Sequence, residues 1–256
     1  MKTWSIGLIL TLLAGCTTDR LLLAPDLPPE RVVQRPVDVR PKPKTVTPAK
    51  AWPAALVSLS EPELPAWTVA APKPAGVLRR TLTPVQLFDH ASPAVYAVMM
   101  AGHFRGSAVA VSSKEAITNC HVVGRAEPIV LVNAAATHNA EVVSADRAAD
   151  RCYLRVRDGE LVPVQGLRDY ASLAVGEAVF TIGSPKGMVN TLGNGLLSGL
   201  REIEGVEYAQ ITAPVSRGSS GGGLFDDRGN LIGVTTFTIQ DSQNLNFAIA
   251  ASQFWR

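Results

Sequence analysis

A serine surrounded by glycines is the first group in this 256-residue sequence that could do chemistry. Residues 217–223 read Arg-Gly-Ser-Ser-Gly-Gly-Gly, with Ser220 at the centre. Glycine lets the backbone turn sharply, so that a hydroxyl projects outward and successive N–H groups point at one spot. Such a segment offers a nucleophile together with hydrogen-bond donors for an oxyanion. A glycine-rich hairpin turn without any catalytic role would have the same sequence pattern.

A serine hydroxyl is a weak nucleophile until a base takes its proton, and histidine is the usual base. The sequence has four histidines. His121 ends an apolar, strand-like run at a polar turn, which is a fixed setting. We expect His90 and His138 at the surface, and His103 is a candidate for the substrate side.

The histidine needs a carboxylate that selects its tautomer and stabilises the imidazolium. Asp146 and Asp150 both precede the run Arg151-Cys-Tyr-Leu-Arg-Val, which alternates like a half-buried strand. Arg151 and Tyr153 are expected on its exposed face. Position alone leaves both aspartates open.

Three segments resemble the trypsin-like serine proteases, and among them the bacterial HtrA/Deg branch. These are Thr-Asn-Cys-His-Val-Val at 118–123, Gly-Ser-Ser-Gly-Gly at 218–222 where the branch has Gly-Asn-Ser-Gly-Gly, and Asn-Phe-Ala-Ile-Ala at 246–250. The resemblance covers residues 95–250. It implies Ser220 as nucleophile, His121 as general base and Asp150 as its orienting carboxylate, with Asp146 a turn residue.

The same resemblance implies an oxyanion hole from the backbone N–H groups of Gly218 and Ser220, with Ser219 between them. Ser219 departs from the family, which has Asn or Asp there. A serine cannot form the buried ion pair with a new N-terminus that activates digestive zymogens, so what orders this loop stays open.

Counting back from the nucleophile places Pro214 and Val215 at the floor of the first specificity pocket, and residues 246–248 on the returning strand are expected to form a wall. No acidic residue stands at the base of the first specificity pocket, so a small or medium apolar side chain is the expected preference. The residues expected to line the pocket are Pro214, Val215, Asn246, Phe247 and Ala248.

The three cysteines carry two further expectations. Cys120 directly precedes the implied base and Cys152 follows the implied carboxylate by two residues. If His121 and Asp150 touch, both sulfurs come within bridging range, and an oxidising compartment would favour a disulfide. The alternative is that Cys120 and Cys152 are unbonded and act as two small buried apolar residues. No second pair of histidines or cysteines at ligand spacing supports a zinc site.

The folded part is predicted to be all-β. Strand-like runs broken by glycine and turn residues indicate many short strands, and the resemblance implies two six-stranded antiparallel β-barrels of the chymotrypsin type with the active site in the cleft between them. Thr83 and Pro84 are suited to start a short helix. The predicted strands lie near 94–101, 106–112, 115–118, 128–133, 138–145, 151–157, 177–183, 193–202, 207–213, 222–226, 231–238 and 244–250.

The N-terminal third is predicted to contain an export signal followed by a tether. Residues 1–15 form a signal peptide with a short basic start and an apolar run too short to span a bilayer. Leu-Ala-Gly-Cys at 13–16 resembles the lipobox of bacterial lipoproteins, which implies acylation of Cys16. Residues 16–80 hold 12 of the 18 prolines and are predicted to be a disordered tether. Residues 81–256 are the predicted protease domain.

These observations predict a serine endopeptidase of the bacterial cell envelope that cleaves protein or peptide substrates. The lipid anchor at Cys16 would hold it in a membrane, by resemblance the outer membrane facing the periplasm. The net charge of +2 points to no nucleic acid, and no cofactor, metal or PDZ domain is expected. A binding module with a protease-like barrel and a structural lipoprotein with a passive barrel are the alternatives.

Overall fold

The computed structural model describes residues 64–74, 76–124, 128–185, 188, 190–238 and 245–256. All of them belong to one compact unit, Val57–Arg256. The predicted signal peptide, Cys16 and residues 16–63 of the predicted tether lie outside the described residues.

The first six strands close into an antiparallel barrel in the order β1-β2-β3-β6-β5-β4. Its interior is apolar, with side chains such as Val98, Leu131 and Leu154 fully buried. This barrel positions the histidine and the aspartate, which stand just after β3 and just before β6. The strands are β1 (Val95–Met100), β2 (His103–Ala110), β3 (Glu115–Thr118), β4 (Ile129–Val132), β5 (Thr137–Asp146) and β6 (Arg151–Val156).

The last six strands form a second closed barrel in the order β10-β11-β12-β9-β8-β7. The loop that carries Ser220 leads into β10. The structure therefore confirms the predicted all-β fold of two six-stranded barrels. The strands are β7 (Ala178–Gly183), β8 (Thr191–Ile203), β9 (Val206–Ile211), β10 (Gly223–Asp226), β11 (Leu231–Thr238) and β12 (Asn246–Ala250).

Helices are short in the described part of the chain. Helix α1 spans Pro84–Ala91 and begins as predicted, because the Thr83 side chain accepts a hydrogen bond from the Gln86 amide while the Gln86 side chain binds the Thr83 amide. Helix α2 is the single turn Cys120–Val123. Three 3₁₀ turns complete the set: Ser92–Ala94, Tyr170–Ser172 and Ala251–Trp255. None of the described helices has the length and apolarity needed to cross a bilayer.

Residues 64–74 and 76–80, which we call the strap, differ from the prediction of a free tether up to residue 80. The strap runs over both barrels. The Thr68 amide donates to Ser144 Oγ on β5 at 2.6 Å, and the Leu78 amide donates to Asn230 Oδ1 beside β11 at 2.6 Å. Proline suppresses regular structure but does not prevent an extended chain from docking through its remaining N–H and C=O groups.

The strap also changes the environment of β6. Trp67 stacks on Tyr153 with ring centroids 5.5 Å apart, and the Arg151 guanidinium lies 4.5 Å from the centroid of the Trp67 ring. Arg151 and Tyr153 are therefore buried, and the prediction that they lie on an exposed face of this strand is wrong.

Candidate active site

The loop that carries Ser220 is shaped by glycines with positive φ. Gly218 has φ of 95° and Gly221 has φ of 84°, values that L side chains rarely adopt. Strand β11 of the second barrel holds the loop in place: the Gly221 amide donates to the Thr235 carbonyl at 2.8 Å, and the Thr235 hydroxyl donates to the Ser219 carbonyl at 2.5 Å. The glycine-rich segment is therefore a turn that hydrogen bonds fix to a neighbouring strand.

His121 and Asp150 meet at the rim of the first barrel. His121 Nδ1 lies 2.8 Å from Asp150 Oδ2, and the His121 amide donates to Asp150 Oδ1 at 3.0 Å. A carboxylate at Nδ1 favours the tautomer with its proton there, which leaves Nε2 as the free acceptor. Half of the His121 side chain is exposed, so its other nitrogen is open to the cleft.

Asp150 adopts a backbone conformation that is uncommon for a residue with a side chain. Its φ is 55°, in the left-handed region that Asp tolerates better than most residues. The Asn119 side-chain amide donates to the Asp150 carbonyl at 3.2 Å. This turn directly before β6 brings the carboxylate back toward helix α2, where His121 stands.

Thr236 joins the aspartate to the serine and was not anticipated from the sequence. Its hydroxyl donates to Asp150 Oδ2 at 3.1 Å, and its carbonyl accepts a hydrogen bond from Ser220 Oγ at 2.8 Å. A threonine in a predicted strand gives no signal of this role. The signal lies in strand pairing: the ladder between β11 and β12 shifts register between Thr235 and Phe237, so Thr236 has no partner on β12.

The Ser220 hydroxyl and His121 thus contact neighbouring groups rather than each other. In the described part of the chain, Ser220 Oγ bonds the Thr236 carbonyl, and no hydrogen bond joins it to the imidazole. Catalytic hydrogen bonds are often long or misaligned before substrate binds. Rotation about the Cα–Cβ bond of Ser220 would turn the hydroxyl from one acceptor toward the other.

A disulfide links the segments that carry the histidine and the aspartate. Cys120 and Cys152 are bonded, with their Cα atoms 5.1 Å apart. Both residues are buried in the first barrel. The disulfide predicted from the positions of Cys120 beside His121 and of Cys152 near Asp150 is therefore present in the structure.

The two amides expected to stabilise an oxyanion are unoccupied within the described residues. Neither the Gly218 nor the Ser220 amide donates a backbone hydrogen bond there, whereas the intervening Ser219 amide donates to the Ser216 carbonyl at 2.8 Å. Since N–H and C=O point in opposite directions in a trans peptide, the Ser220 amide points away from Thr235, which binds the Ser219 carbonyl.

The expected specificity residues are divided between the surface and the core. Pro214 is exposed and Val215 is partly buried. Asn246 is buried, and its side-chain amide donates to the Ala213 carbonyl at 2.9 Å. The Ala248 side chain is fully buried in the core of the second barrel, not on a wall of the cleft.

Phe247 forms the base of an aromatic cluster beside Thr236. It stacks on Phe237 with ring centroids 4.9 Å apart, and Phe237 in turn meets Tyr208 edge to face at 5.7 Å. Phe237 is 39% exposed, so the cluster presents an apolar face next to Thr236 and the candidate catalytic groups. Burial, with the nearby charges of Asp150 and Glu204, raises the pKa of Tyr208.

Two cavities bear on where a substrate could bind. One of about 200 Å³ lies against the Ser220 loop, bounded by Pro214, Ser216 and Ser219 and by β7 and β8. A larger one of about 540 Å³ lies on the first barrel, bounded by residues such as Val123 and Arg157, and contains none of the three catalytic candidates. Size alone would therefore misplace the site.

None of the other three histidines joins the hydrogen bonds among His121, Asp150, Thr236 and Ser220 within the described residues. His90 is partly exposed on α1, and His103 is exposed at the start of β2. His138 is buried, with Nδ1 3.1 Å from the Asp158 carbonyl, so the prediction that it lies at the surface is wrong. It faces Tyr96 edge to face, which explains its burial.

Asp146 serves the turn before β6 and not the histidine. Burial raises the pKa of its carboxyl, but hydrogen bonds from the Arg151 side chain, at 2.5 Å, and from the Ala149 amide outweigh burial, so the pKa lies below its ordinary value. Among the described residues, no group of three or more His, Cys, Asp or Glu side chains could hold a metal ion.

A double barrel with a serine on a glycine loop and a His-Asp pair across the cleft defines the class of trypsin-like peptidases. The profile of the family "Trypsin-like peptidase domain" matches residues 106–234. The chain belongs to this family, and its relatives are HtrA/Deg serine proteases.

Solved structures and curated relatives give the same result. The crystal structure of Deg5 is 32% identical, with a TM-score of 0.58 over 67% of this chain and 90% of that one. The HtrA-type protease AlgW with a tripeptide is 27% identical, with a TM-score of 0.63 over 68% of this chain and 62% of that one. The periplasmic pH-dependent serine endoprotease DegQ of Escherichia coli is 28% identical over 57% of this chain and 35% of its own length. The chain spans about a third of the length of the curated relatives it matches.

Proposed function

We propose that this chain is a serine endopeptidase that hydrolyses peptide bonds through an acyl-enzyme. The observation that carries the proposal is the fixed His121–Asp150 pair, 2.8 Å from Nδ1 to Oδ2, opposite a serine on a loop with two free amides. Its homologues are serine proteases. The solved AlgW structures hold a tripeptide and a decapeptide, which supports peptides as the substrate class here.

In the proposed mechanism, Ser220 Oγ attacks the carbonyl carbon of the scissile bond while His121 Nε2 takes its proton. Asp150 keeps the imidazole in the required tautomer and stabilises its cation. The amides of Gly218 and Ser220 stabilise the oxyanion, and one such donor contributes about 3–4 kcal/mol in the transition state. His121 then protonates the leaving amine, and water repeats the sequence on the acyl-enzyme.

We further propose that the preferred residue before the scissile bond is small or medium-sized and apolar. Pro214 and Val215 are uncharged, and the Phe237–Phe247 pair offers an apolar surface beside Thr236. Peptides that differ only at this residue (Ala, Val, Leu, Lys or Asp) test the preference through kcat/KM. Faster cleavage after Lys or Asp would contradict it.

The location that we propose is the bacterial envelope, with Cys16 acylated and the catalytic unit facing the periplasm from the outer membrane. Relatives named as periplasmic endoproteases support the compartment, and the segment at residues 13–16 supports the anchor. Mass spectrometry of the mature N-terminal peptide tests the anchor. A free N-terminus or an unmodified Cys16 would contradict it, and sucrose-gradient fractionation decides between the two membranes.

The central test is labelling of the full chain with a fluorophosphonate, which reacts only with an activated serine. The wild-type protein should be labelled, and Ser220→Ala and His121→Ala should not. Ser113→Ala removes a hydroxyl from an exposed turn and should label like the wild type. Absence of labelling in folded wild-type protein that still binds peptides would favour a binding module instead.

A further inference from the structure

Ser107, a fully buried serine on β2 of the first barrel, makes three hydrogen bonds into the second barrel. Its amide donates to the Ser220 carbonyl at 2.8 Å, and its hydroxyl donates to the Gly218 carbonyl at 2.9 Å. The same hydroxyl accepts from the Ser184 amide at 2.9 Å. One residue thus binds both ends of the tripeptide Gly218-Ser219-Ser220.

The effect of these bonds follows from peptide geometry. Ser107 draws the carbonyls of Gly218 and Ser220 toward β2, whereas the Thr235 hydroxyl holds the Ser219 carbonyl toward β11 at 2.5 Å. Because a trans peptide is planar with N–H opposite to C=O, this alternation turns the Ser219 amide away from β2. The Ser220 amide is turned away from β11. The Thr235 hydroxyl therefore sets the direction of the free Ser220 amide, whereas the two bonds from Ser107 hold the residues at both ends of the tripeptide, Gly218 and Ser220, in place.

Close packing leaves no room for a side chain where the loop meets β2 and β3. Gly221 has φ of 84°, and a Cβ there would clash with the Ser107 carbonyl and the Thr118 hydroxyl. The Thr118 hydroxyl itself donates to the Ser107 carbonyl at 2.6 Å, which fixes Ser107 from the side of β3. A Cβ at Gly106 would lie 2.8 Å from the Ser220 carbonyl. The first barrel and the loop therefore meet backbone to backbone.

We propose that Ser107 is a positioning residue. Its hydroxyl keeps the oxyanion hole, the amides of Gly218 and Ser220, formed before substrate binds. In digestive zymogens an ion pair at the position of Ser219 orders this loop. Ser219 carries no charge and cannot form such a pair, and the hydrogen bonds of Ser107 order the loop in its place. The inference rests on the proposed peptidase function, because an oxyanion hole matters only where a tetrahedral intermediate forms. Ser107 does not touch the reacting atoms and acts through the Gly218 carbonyl.

The test compares Ser107→Ala with a matched control, Ser144→Ala, in the full chain. Ser144 is also fully buried, and its substitution also removes hydroxyl hydrogen bonds, two of them at 2.6 Å, but these bind the strap at Ala66 and Thr68. Two readouts are needed: amide hydrogen exchange of the segment 216–222, and kcat and KM on a cleaved peptide.

If Ser107 acts as proposed, its Ala variant exchanges the amides of 216–222 about 10-fold faster than wild type. Its kcat falls about 10- to 100-fold, below the full loss of an oxyanion donor, with KM within about two-fold. Ser144→Ala should leave both readouts at wild-type values. Ser107→Cys keeps the size with a weaker donor and should fall between the two, so it carries the test if the Ala variant does not fold.

Three outcomes overturn parts of this picture separately. Unchanged exchange and unchanged kcat in Ser107→Ala would refute the positioning role. Equal changes in both Ser→Ala variants would also refute it, because they would report general destabilisation. A wild-type protein that cleaves nothing and resists fluorophosphonate, with exchange still dependent on Ser107, would refute the peptidase function while retaining the loop contact.

Discussion

Asp150 shows most clearly how single residues build this site. Three donors converge on its carboxylate: the His121 amide, the His121 ring and the Thr236 hydroxyl. A hydrogen bond to a charged group contributes about 1.5–3 kcal/mol. Together these bonds offset the cost of a non-glycine residue at φ of 55°, a strain that is tolerated where the surroundings determine the conformation.

Thr236→Val should lower kcat about tenfold with little change in KM. The variant keeps the shape and the carbonyl that binds Ser220, but removes the donor to Asp150 Oδ2. A tenfold effect corresponds to about 1.4 kcal/mol, the low end of a hydrogen bond to a charged group. Steady-state kinetics measure it, with Thr236→Ser as the control that retains the hydroxyl. If the Val and Ser variants were equally active, the bond would have no part in orienting the carboxylate.

What the sequence could predict at this scale is the set of side chains that we propose perform the chemistry. Ser220 and His121 stand in short motifs that pattern and resemblance both identify. The contacts of Thr236 and Ser107 could not be identified from the sequence, because they depend on how β2, β11 and the loops before β6 and β10 meet in the fold. Ala248 was misplaced for a related reason: the face of β12 that it occupies is set by register, and a shift by one residue reverses every side chain.

Irregularities in the strands, more than the strands themselves, shape the site. The register shift in β11 leaves Thr236 outside the ladder with β12, so its carbonyl accepts from Ser220 and its hydroxyl is directed to Asp150. Bulges of this kind re-aim side chains next to active sites. Strand positions were predictable from alternation and turn residues, whereas a bulge leaves no composition signal.

The disulfide should stabilise the element that carries the histidine as well as the fold. The double variant Cys120→Ala, Cys152→Ala releases a loop that spans 32 positions, for which chain entropy predicts a loss of about 3–4 kcal/mol. Urea unfolding of the variant measures it. Activity at low urea should fall as well, since the bridge holds helix α2 against the start of β6. Full activity in the variant would mean that the hydrogen bonds to Asp150 suffice without it.

The turn before β6 should make stability depend on pH through Asp146. Its pKa is lowered in the fold, so its contribution is present above the unfolded pKa of about 4 and is lost as pH falls through the folded pKa. Asp146→Asn should therefore be less stable than wild type at pH 7, and the difference should shrink as the pH falls through the lowered pKa of Asp146 in the fold. Thermal unfolding at pH 7 and at a series of acidic pH values measures it, with Asp89→Asn, which removes an exposed carboxylate, as the control. A difference that stayed constant with pH would exclude this linkage.

At the scale of the whole molecule, the two barrels are joined at a distance from the cleft as well as across it. Tyr153 of the first barrel donates to the Phe254 carbonyl at 2.8 Å, and the Arg151 guanidinium binds the Gln253 carbonyl. The strap covers this junction: Trp255 Nε1 donates to the Ala71 carbonyl at 3.0 Å. The composition of residues 64–80 predicted a tether because proline-rich segments seldom pack, and it could not show that the barrels provide partners for the backbone.

Removal of the strap should therefore lower the stability of the two-barrel unit. A chain that starts at Thr81 should unfold about 10 °C below one that starts at Leu64, because it loses the packing of Trp67 on Tyr153 and several hydrogen bonds, together about 3–5 kcal/mol. Calorimetry measures it. Trp67→Ala in the longer chain should give an intermediate shift, and Val69→Ala, at a residue 49% exposed, should give almost none. Equal melting temperatures for the two chains would mean that the strap lies on the barrels without stabilising them, and the boundary of the folded unit would return to residue 81.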